Sequence, residues 1–182
     1  MKQDGALDHS LSLISKALYF AAYKHRNQRR KDQAASPYIN HPILLMSILA
    51  DEAKICDPNV LIGALLHDTV EDTDTTPAEI EKLFGKIVRQ IVEEVTDDRG
   101  LPRSERKALQ IAHAPNLSTE AAMIKIADKI ANLRDMNVSP PVHWSEERKK
   151  DYLLWATEVV SRIKNPHPKL LVIFQKTIST FS

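Results

Sequence analysis

Apolar residues recur at steps of three and four along most of this chain, which is the spacing of one face of an α-helix. The first stripe predicts a helix that gives way to a polar run over residues 24–33. Later stripes predict seven more helices, so the pattern indicates an all-α protein. The stripes are Leu11, Ile14, Leu18 and Ala21; Leu45, Met46, Leu49 and Ala53; Leu61, Ala64 and Leu65; Ile87, Val88, Ile91, Val92 and Val95; Ala108, Ile111 and Ala112; Ala122, Met123, Ile126, Ile130 and Leu133; Tyr152, Trp155, Val159 and Ile163; and Leu170, Leu171, Phe174 and Ile178.

Local signals predict where some helices begin and end. Asp57 followed by Pro58 predicts a cap and a first helical residue. The run from Thr76 to Glu79 reads TPAE, a capping box that predicts a further short helix, and Gly85 can end that helix with a positive φ. The β-branched segment after Gly85 would also allow a strand, but its helical neighbours favour a helix.

Composition supports this picture and excludes several classes of protein. Only 4 glycines in 182 residues leave few tight turns for a many-stranded fold. The single cysteine, Cys56, cannot form an internal disulfide, and there is no cysteine cluster for a structural zinc. We therefore expect one domain over residues 1–182 in a reducing, cytoplasmic environment.

The overall charge argues against a polyanion-coating protein. Lys and Arg number 25 and Asp and Glu 24, for a net charge of +1. A protein that coats DNA or an anionic membrane through its overall field is usually far more basic. The apolar run over residues 60–66 is much too short to span a bilayer, and the N-terminal segment does not have the pattern of a secretion signal. We expect neither a nucleic-acid polymer nor a membrane as a partner.

Ionisable residues follow the apolar run over residues 60–66 directly. They are His67, Asp68, Glu71 and Asp72. On a continuing helix these four side chains would form a polar patch about 140° wide, with His67 above Glu71 and Asp68 above Asp72. Carboxylates at the C-terminal end of a helix face the negative end of its dipole unless a cation compensates. The patch is therefore either a solvated helix end or part of a metal site.

Two distant segments offer further ligands. His41 stands directly before Pro42, where a helix is predicted to begin, and Asp128 lies four residues before Asn132 on a largely apolar helix. A carboxylate there would be partly buried and would need a cation. The alternatives are an ordinary capping or core histidine and an ion pair of Asp128 with Lys125, Lys129 or Arg134.

The order His41, His67-Asp68, Asp128 resembles the H…HD…D pattern of the HD-domain phosphohydrolases, an all-helical superfamily that binds a divalent metal. The flanking segments are similar to the hydrolase domain of RelA/SpoT enzymes, from about residue 21 to residue 160. This resemblance implies an HD-domain helical bundle of the single-domain small alarmone hydrolase type, like the metazoan SpoT homologues, without the synthetase or regulatory domains of the long enzymes. The matching segments are RRK at 29–31, YINHP at 38–42, ALLHDTVEDT at 64–73, KIADKIANLRD at 125–135 and WSEER at 144–148, with Tyr152.

The resemblance also implies a ligand set and a catalytic pair. The implied metal ligands are His41, His67, Asp68 and Asp128, and the family metal is Mn²⁺. Two imidazoles and two carboxylates leave positions open for water and a substrate oxygen, and they suit Mn²⁺ better than a closed zinc site. The family's acidic pair corresponds to Glu71 and Asp72, of which one would position or deprotonate water and the other assist the leaving group.

The family removes pyrophosphate from the 3′ position of ppGpp and pppGpp, giving GDP or GTP. By the resemblance, Arg30, Lys31 and Asn132 lie at the nucleotide, and Arg148 and Tyr152 hold phosphate or ribose. The basic run that includes Arg30 and Lys31 could otherwise be a solvated face or a weak nucleic-acid patch.

The predicted function is therefore that of a Mn²⁺-dependent guanosine-3′,5′-bis(diphosphate) 3′-pyrophosphohydrolase, a phosphoric diester hydrolase that uses a metal-activated water on a small nucleotide. One alternative keeps the metal and changes the substrate, for instance to the 2′-phosphate of NADPH. Another is a catalytically silent alarmone-binding module. Loss of an acidic residue would indicate a silent module, but both Glu71 and Asp72 are present.

Overall fold

Helices make up the architecture of this protein. The computed structural model describes residues 2–181, with side chains from His9 onward. Within that range one isolated β-bridge joins Arg29 to Pro37, and the predicted all-α class is confirmed. The helices are α1 (Lys2–Lys24), α2 (Asn40–Ser47), α3 (Pro58–Leu66), α4 (Thr69–Asp72), α5 (Pro77–Phe84), α6 (Lys86–Val95), α7 (Arg103–His113), α8 (Thr119–Val138), α9 (Glu146–Arg162) and α10 (Pro168–Ser179).

The predicted helix ends are present. The Asp57 carboxylate accepts a hydrogen bond from the backbone N–H of Asn59 at 2.8 Å and caps α3. The Thr76 hydroxyl accepts from the N–H of Glu79 at 3.2 Å, and Gly85 ends α5 with a φ of 92°. The Glu79 carboxylate bonds the ammonium of Lys24 on α1 at 3.1 Å, so α5 is tied to α1 as well as capped.

The central helix of the core is α3, whose residues 60–66 are all buried. Its Leu61 and Ala64 belong to the cluster formed with α8, whereas Leu65 belongs to the cluster formed with α1 and α6. Gly63 permits the close approach of these helices, because a Cβ there would lie 2.9 Å from Cδ1 of Ile124 on α8. Packing on both sides holds the C-terminal end of α3 in place.

The helix does not continue through the polar run, so the prediction of an unbroken helix is wrong at this point. It ends at Leu66, and the chain turns at His67 and Asp68 before α4 begins. The hydroxyl of Thr69 donates to the carbonyl of Leu66 at 2.7 Å, in competition with a regular helical hydrogen bond. The N–H of Asp72 still bonds the carbonyl of Asp68 at 2.9 Å, so these two acids remain one turn apart.

The second predicted helix also changes pitch. Regular α2 ends at Ser47, and a wider helical turn follows at Ile48–Glu52. Here the N–H of Ala53 bonds the carbonyl of Ile48 at 2.9 Å, five residues back. Leu45, Leu49 and Ala53 of the predicted stripe are buried and Met46 is half-buried, although the backbone that carries them is not uniformly α-helical.

None of the helices described between residues 2 and 181 has the length and apolarity that crossing a membrane requires.

Replacing Gly63 with valine is expected to lower the free energy of unfolding by about 1–3 kcal/mol, because the added methyl groups would overlap side chains of α8 and α6. Urea denaturation monitored by circular dichroism would measure the change. Ala78→Val, at an exposed position in the first turn of α5, is the matched control and should shift stability by only about 0.5 kcal/mol. A Gly63→Val protein as stable as the control would contradict the close packing of α3.

Candidate metal and hydrolytic site

The four predicted ligands meet where α2 begins, α3 ends and α8 passes behind them. The candidate ligand atoms of His41, His67 and Asp128 all lie within 4.8 Å of one another. Asp68 lies next to this group, with its Oδ2 2.8 Å from Nε2 of His67. Residues far apart in the sequence therefore form one buried cluster.

The donor chemistry of this cluster fits a divalent cation. Nδ1 of His67 lies 2.8 Å from the carbonyl of Ala64, which can only accept, so Nδ1 carries a proton and Nε2 is the nitrogen available to a metal. That Nε2 is buried without a hydrogen bond and faces the carboxylate of Asp68. Burial alone would lower the pKa of His67, but the negative charge of Asp68 raises it, so either a proton or a divalent cation lies between Nε2 and this carboxylate. The spacing is suitable, because ligand atoms 90° apart on an ion at about 2.1 Å are separated by about 3 Å.

The second imidazole repeats this arrangement. Nε2 of His41 lies 3.2 Å from Oδ1 of Asp128. Burial lowers the pKa of His41, which favours the neutral imidazole that metals bind. Burial alone would raise the pKa of Asp128, but the ammonium of Lys129 and the imidazole of His41 hold it well below its usual range. The two residues therefore present a neutral nitrogen and an ionised oxygen.

Neighbouring hydrogen-bond donors fix the orientation of each carboxylate. Lys129 Nζ donates to Oδ2 of Asp128 at 2.9 Å, and Asn132 Nδ2 donates to Oδ1 at 2.6 Å. The hydroxyl of Tyr38 donates to Asp68. Such outer partners orient metal ligands and tune their basicity.

The predicted ion pair of Asp128 is also present, and Lys129 is its partner. The other two cations considered from the sequence bond elsewhere. Lys125 donates to the carbonyl of Val95 at 2.8 Å, and Arg134 pairs with Glu52 at 2.5 Å. The ion pair and the cluster of candidate ligands therefore coexist at Asp128.

Glu71 extends from α4 toward the chain that follows α6. Its Oε1 accepts from Arg106 at 3.1 Å, and its Oε2 accepts from the backbone N–H of Asp97 at 3.2 Å. Burial raises the pKa of Glu71, and the negative charges of Asp68 and Asp97 raise it further. This carboxyl group therefore holds a proton more readily than an exposed glutamate.

Asp72 takes its partners from two other segments. Its Oδ2 accepts from Nε2 of Gln28 at 2.5 Å, and its Oδ1 pairs with the guanidinium of Arg99. Nε of Arg99 also lies 3.6 Å from Oε1 of Glu71, so one cation neighbours both acids. More than half of the Arg99 side chain is exposed, which places this cation at the open side of the site.

An open cleft of about 550 Å³ adjoins the two acids and the histidine cluster. Its lining includes four of the five predicted substrate residues, namely Arg30, Lys31, Asn132 and Tyr152. The fifth, Arg148, lies beside the cleft with its guanidinium 4.5 Å from the ring centroid of Trp144, which is itself a lining residue.

Arg30 is held before any ligand binds. Its guanidinium donates to Asp135 at 2.6 Å and to Asn132 at 3.3 Å, and it lies 5.7 Å from the ring centroid of Tyr38. The backbone carbonyl of Lys31 accepts from the N–H of Val142 at 3.1 Å, which ties the loop after α8 to this wall.

Sequence reasoning assigned no role to several residues that contact the predicted site. Tyr38 could have been predicted to lie near the candidate ligands, since it stands three residues before His41. The others lack a local signal, because only packing brings their segments to the acids. They are Gln28, Arg99 and Arg106.

Comparisons with known proteins agree with this geometry. The family model described as "HD domain" matches residues 17–156. Guanosine-3′,5′-bis(diphosphate) 3′-pyrophosphohydrolase MESH1 of Xenopus tropicalis is 55% identical over 153 residues, covering 84% of this chain and 86% of the relative. The human protein of the same name is 54% identical over 157 residues, covering 86% and 88%.

A solved structure is similar as well. It is described as a metazoan ortholog of SpoT that hydrolyses ppGpp and plays a role in starvation responses. It matches with a TM-score of 0.88 and 46% identity over 92% of this chain and 94% of that one. The chain therefore belongs to the HD-domain family. Within that family it is similar to the small ppGpp hydrolases, as the sequence motifs implied.

Adding Mn²⁺ to the metal-stripped protein is expected to raise its melting temperature, because the folded ligand cluster binds the ion and the unfolded chain does not. At a free Mn²⁺ concentration 100 times Kd the stabilisation should be about 2.7 kcal/mol. Asp68→Asn should abolish the shift, whereas Asp151→Asn on the exposed face of α9 should keep it. Thermal denaturation across a Mn²⁺ titration measures both, and an undiminished shift in Asp68→Asn would remove Asp68 from the ligand set.

Proposed function

We propose that this chain is a Mn²⁺-dependent guanosine-3′,5′-bis(diphosphate) 3′-pyrophosphohydrolase that converts ppGpp and pppGpp to GDP or GTP and pyrophosphate. The observation that carries the proposal is the buried set of two imidazoles and two carboxylates beside a pair of acids and an open cleft. Relatives of that name are more than half identical over most of the chain, which supports the same substrate.

In this proposal His41, His67, Asp68 and Asp128 hold the manganese ion. Mixed nitrogen and oxygen ligands with open positions suit Mn²⁺. When bound, the ion supplies a water of lowered pKa and offsets negative charge at the phosphorus. Lys129 and Tyr38 keep the ligand carboxylates oriented by donating hydrogen bonds to Asp128 and Asp68.

Glu71 and Asp72 are the proposed catalytic acids. Hydrolysis forms a bond between a water oxygen and the phosphorus attached to the ribose 3′ oxygen, and it breaks the bond between that phosphorus and the 3′ oxygen. The water must lose a proton and the 3′ oxygen must gain one. A buried glutamate of raised pKa exchanges protons more easily near neutral pH, and the arginines beside both acids limit their mutual repulsion.

The nucleotide is proposed to occupy the cleft. The guanidinium of Arg30 is braced by Asp135 and Asn132, and a braced planar cation is suited to stacking on guanine. Lys31 and Arg148 would balance phosphate charge, and Tyr152 with Asn132 would contact the ribose or a phosphate.

We further propose a cytoplasmic enzyme with one domain over residues 1–182, acting on free nucleotides rather than on a nucleic-acid polymer or a membrane. The near balance of acidic and basic residues and the single free cysteine support this assignment.

A nucleotide panel tests the function directly. Purified protein with Mn²⁺ should release pyrophosphate and GDP from ppGpp, with the products separated by anion-exchange chromatography. Release of phosphate from NADPH, with ppGpp left intact, would overturn the proposed substrate in favour of the 2′-phosphate alternative. Turnover of neither nucleotide would favour a silent binding module.

Glu71→Gln should preserve Mn²⁺ binding and reduce kcat by about 10²–10⁴-fold, because the amide keeps the shape of the side chain but cannot exchange a proton. Steady-state hydrolysis of ppGpp and a Mn²⁺ binding isotherm separate the two effects. Full turnover by this variant would remove Glu71 from the catalytic pair.

Arg30→Ala should raise KM for ppGpp about tenfold, equivalent to about 1.4 kcal/mol of lost binding, with a smaller effect on kcat. Arg26→Ala is the control, since that guanidinium lies against Tyr23 outside the cleft lining. An unchanged KM in Arg30→Ala would contradict the stacking role.

A further inference from the structure

One face of α7 contacts residues of the candidate site. Arg106 and Gln110 lie one turn apart on this helix. Arg106 bonds Oε1 of Glu71 at 3.1 Å, and Gln110 Oε1 accepts from Lys129 Nζ at 3.0 Å. Because Lys129 also holds Asp128, a single helix contacts both the proposed catalytic acid and the support of a proposed metal ligand.

The side-chain amide of Gln110 has a partner at each end. Besides the bond from Lys129 to its oxygen, its Nε2 donates to Oδ2 of Asp97 at 2.6 Å. The backbone N–H of Asp97 in turn donates to Oε2 of Glu71 at 3.2 Å. A continuous series of contacts therefore runs from Asp128 through Lys129, Gln110 and Asp97 to Glu71.

Lys129 is the member of this series that depends most on its partners, because its ammonium has little access to water. Only 2% of the side chain is exposed, and Nζ lies 4.3 Å from the ring centroid of Trp155. A buried ammonium needs acceptors, and it bonds Asp128 and Gln110. Loss of the Gln110 oxygen would leave Lys129 to find another acceptor and would disturb its contact with Asp128.

We propose that Gln110 is a positioning residue for hydrolysis, which aligns the metal-ligand carboxylate of Asp128 and the catalytic Glu71 relative to each other through Lys129 and Asp97. The proposal rests on the proposed function for the identity of those two groups. Gln110 is absent from the lining of the substrate cleft, so it acts through its neighbours and not on the nucleotide.

Gln110→Glu separates the two ends of the amide. The carboxylate can still accept from Lys129, but it cannot donate to Asp97 and meets that carboxylate at close range. We expect kcat for ppGpp to fall about ten- to a hundredfold, with KM changed less than about twofold. Adding Asp97→Asn supplies a donor on the opposite side and should raise kcat of the double variant at least about fivefold over Gln110→Glu alone.

Gln110→Leu removes both ends of the amide. It should weaken Mn²⁺ binding about tenfold, measured from the electron paramagnetic resonance signal of free Mn²⁺, a readout that requires no turnover. Gln175→Glu, at an exposed position on α10, is the charge-matched control and should leave kcat and Mn²⁺ affinity unchanged. Unfolding midpoints of all variants show whether a loss merely follows stability.

Three results would overturn the proposal while leaving the proposed function intact: kcat within twofold of wild type in Gln110→Glu, a loss that Asp97→Asn does not repair, or unchanged Mn²⁺ affinity in Gln110→Leu. If wild-type protein does not hydrolyse ppGpp, the proposed function fails. The Mn²⁺ affinities of Gln110→Leu and the control then decide whether Gln110 positions the metal-ligand cluster.

Discussion

Imidazole nitrogens and carboxylate oxygens face each other inside this protein at 2.8 and 3.2 Å, and the neighbouring donors and helices are arranged around these two contacts. The contact between His67 and the ionised Asp68 is favourable only with a positive charge between the two atoms, either a proton on the imidazole or a metal cation. The surrounding donors do not remove the need for that charge. Lys129 binds Oδ2 of Asp128 and leaves Oδ1 facing His41, whereas Tyr38 donates to the same oxygen of Asp68 that faces His67. The cluster is arranged to receive a cation.

Such a cluster requires a rigid frame, which the packing of α3 provides. This helix has apolar contacts on both sides, and Gly63 lets neighbouring helices approach closely. The chain then turns at His67 and Asp68, so both ligands extend from the end of a fully packed element. Their positions follow from core packing rather than from the flexibility of a loop.

Charge around the cleft is distributed in pairs. Arg99 and Arg106 pair with the two acids of α4, and Asp135 pairs with Arg30 elsewhere in the cleft lining. These ion pairs therefore orient the guanidinium groups before a polyanionic nucleotide binds. Binding then costs less ordering of side chains than it would for free surface arginines. The same pairing keeps two neighbouring carboxylates within a largely buried site.

Local sequence patterns were enough to predict the helices and the candidate chemistry. Apolar stripes and caps such as Asp57 act within a few residues, so their effects can be read locally, and the motif around His67 carries the family resemblance. The support of the site, in contrast, depends on how the helices pack. The turn after Leu66 and the contacts of Arg106 and Gln110 arise where separate helices meet, and no spacing along the chain encodes which polar groups those helices bring together.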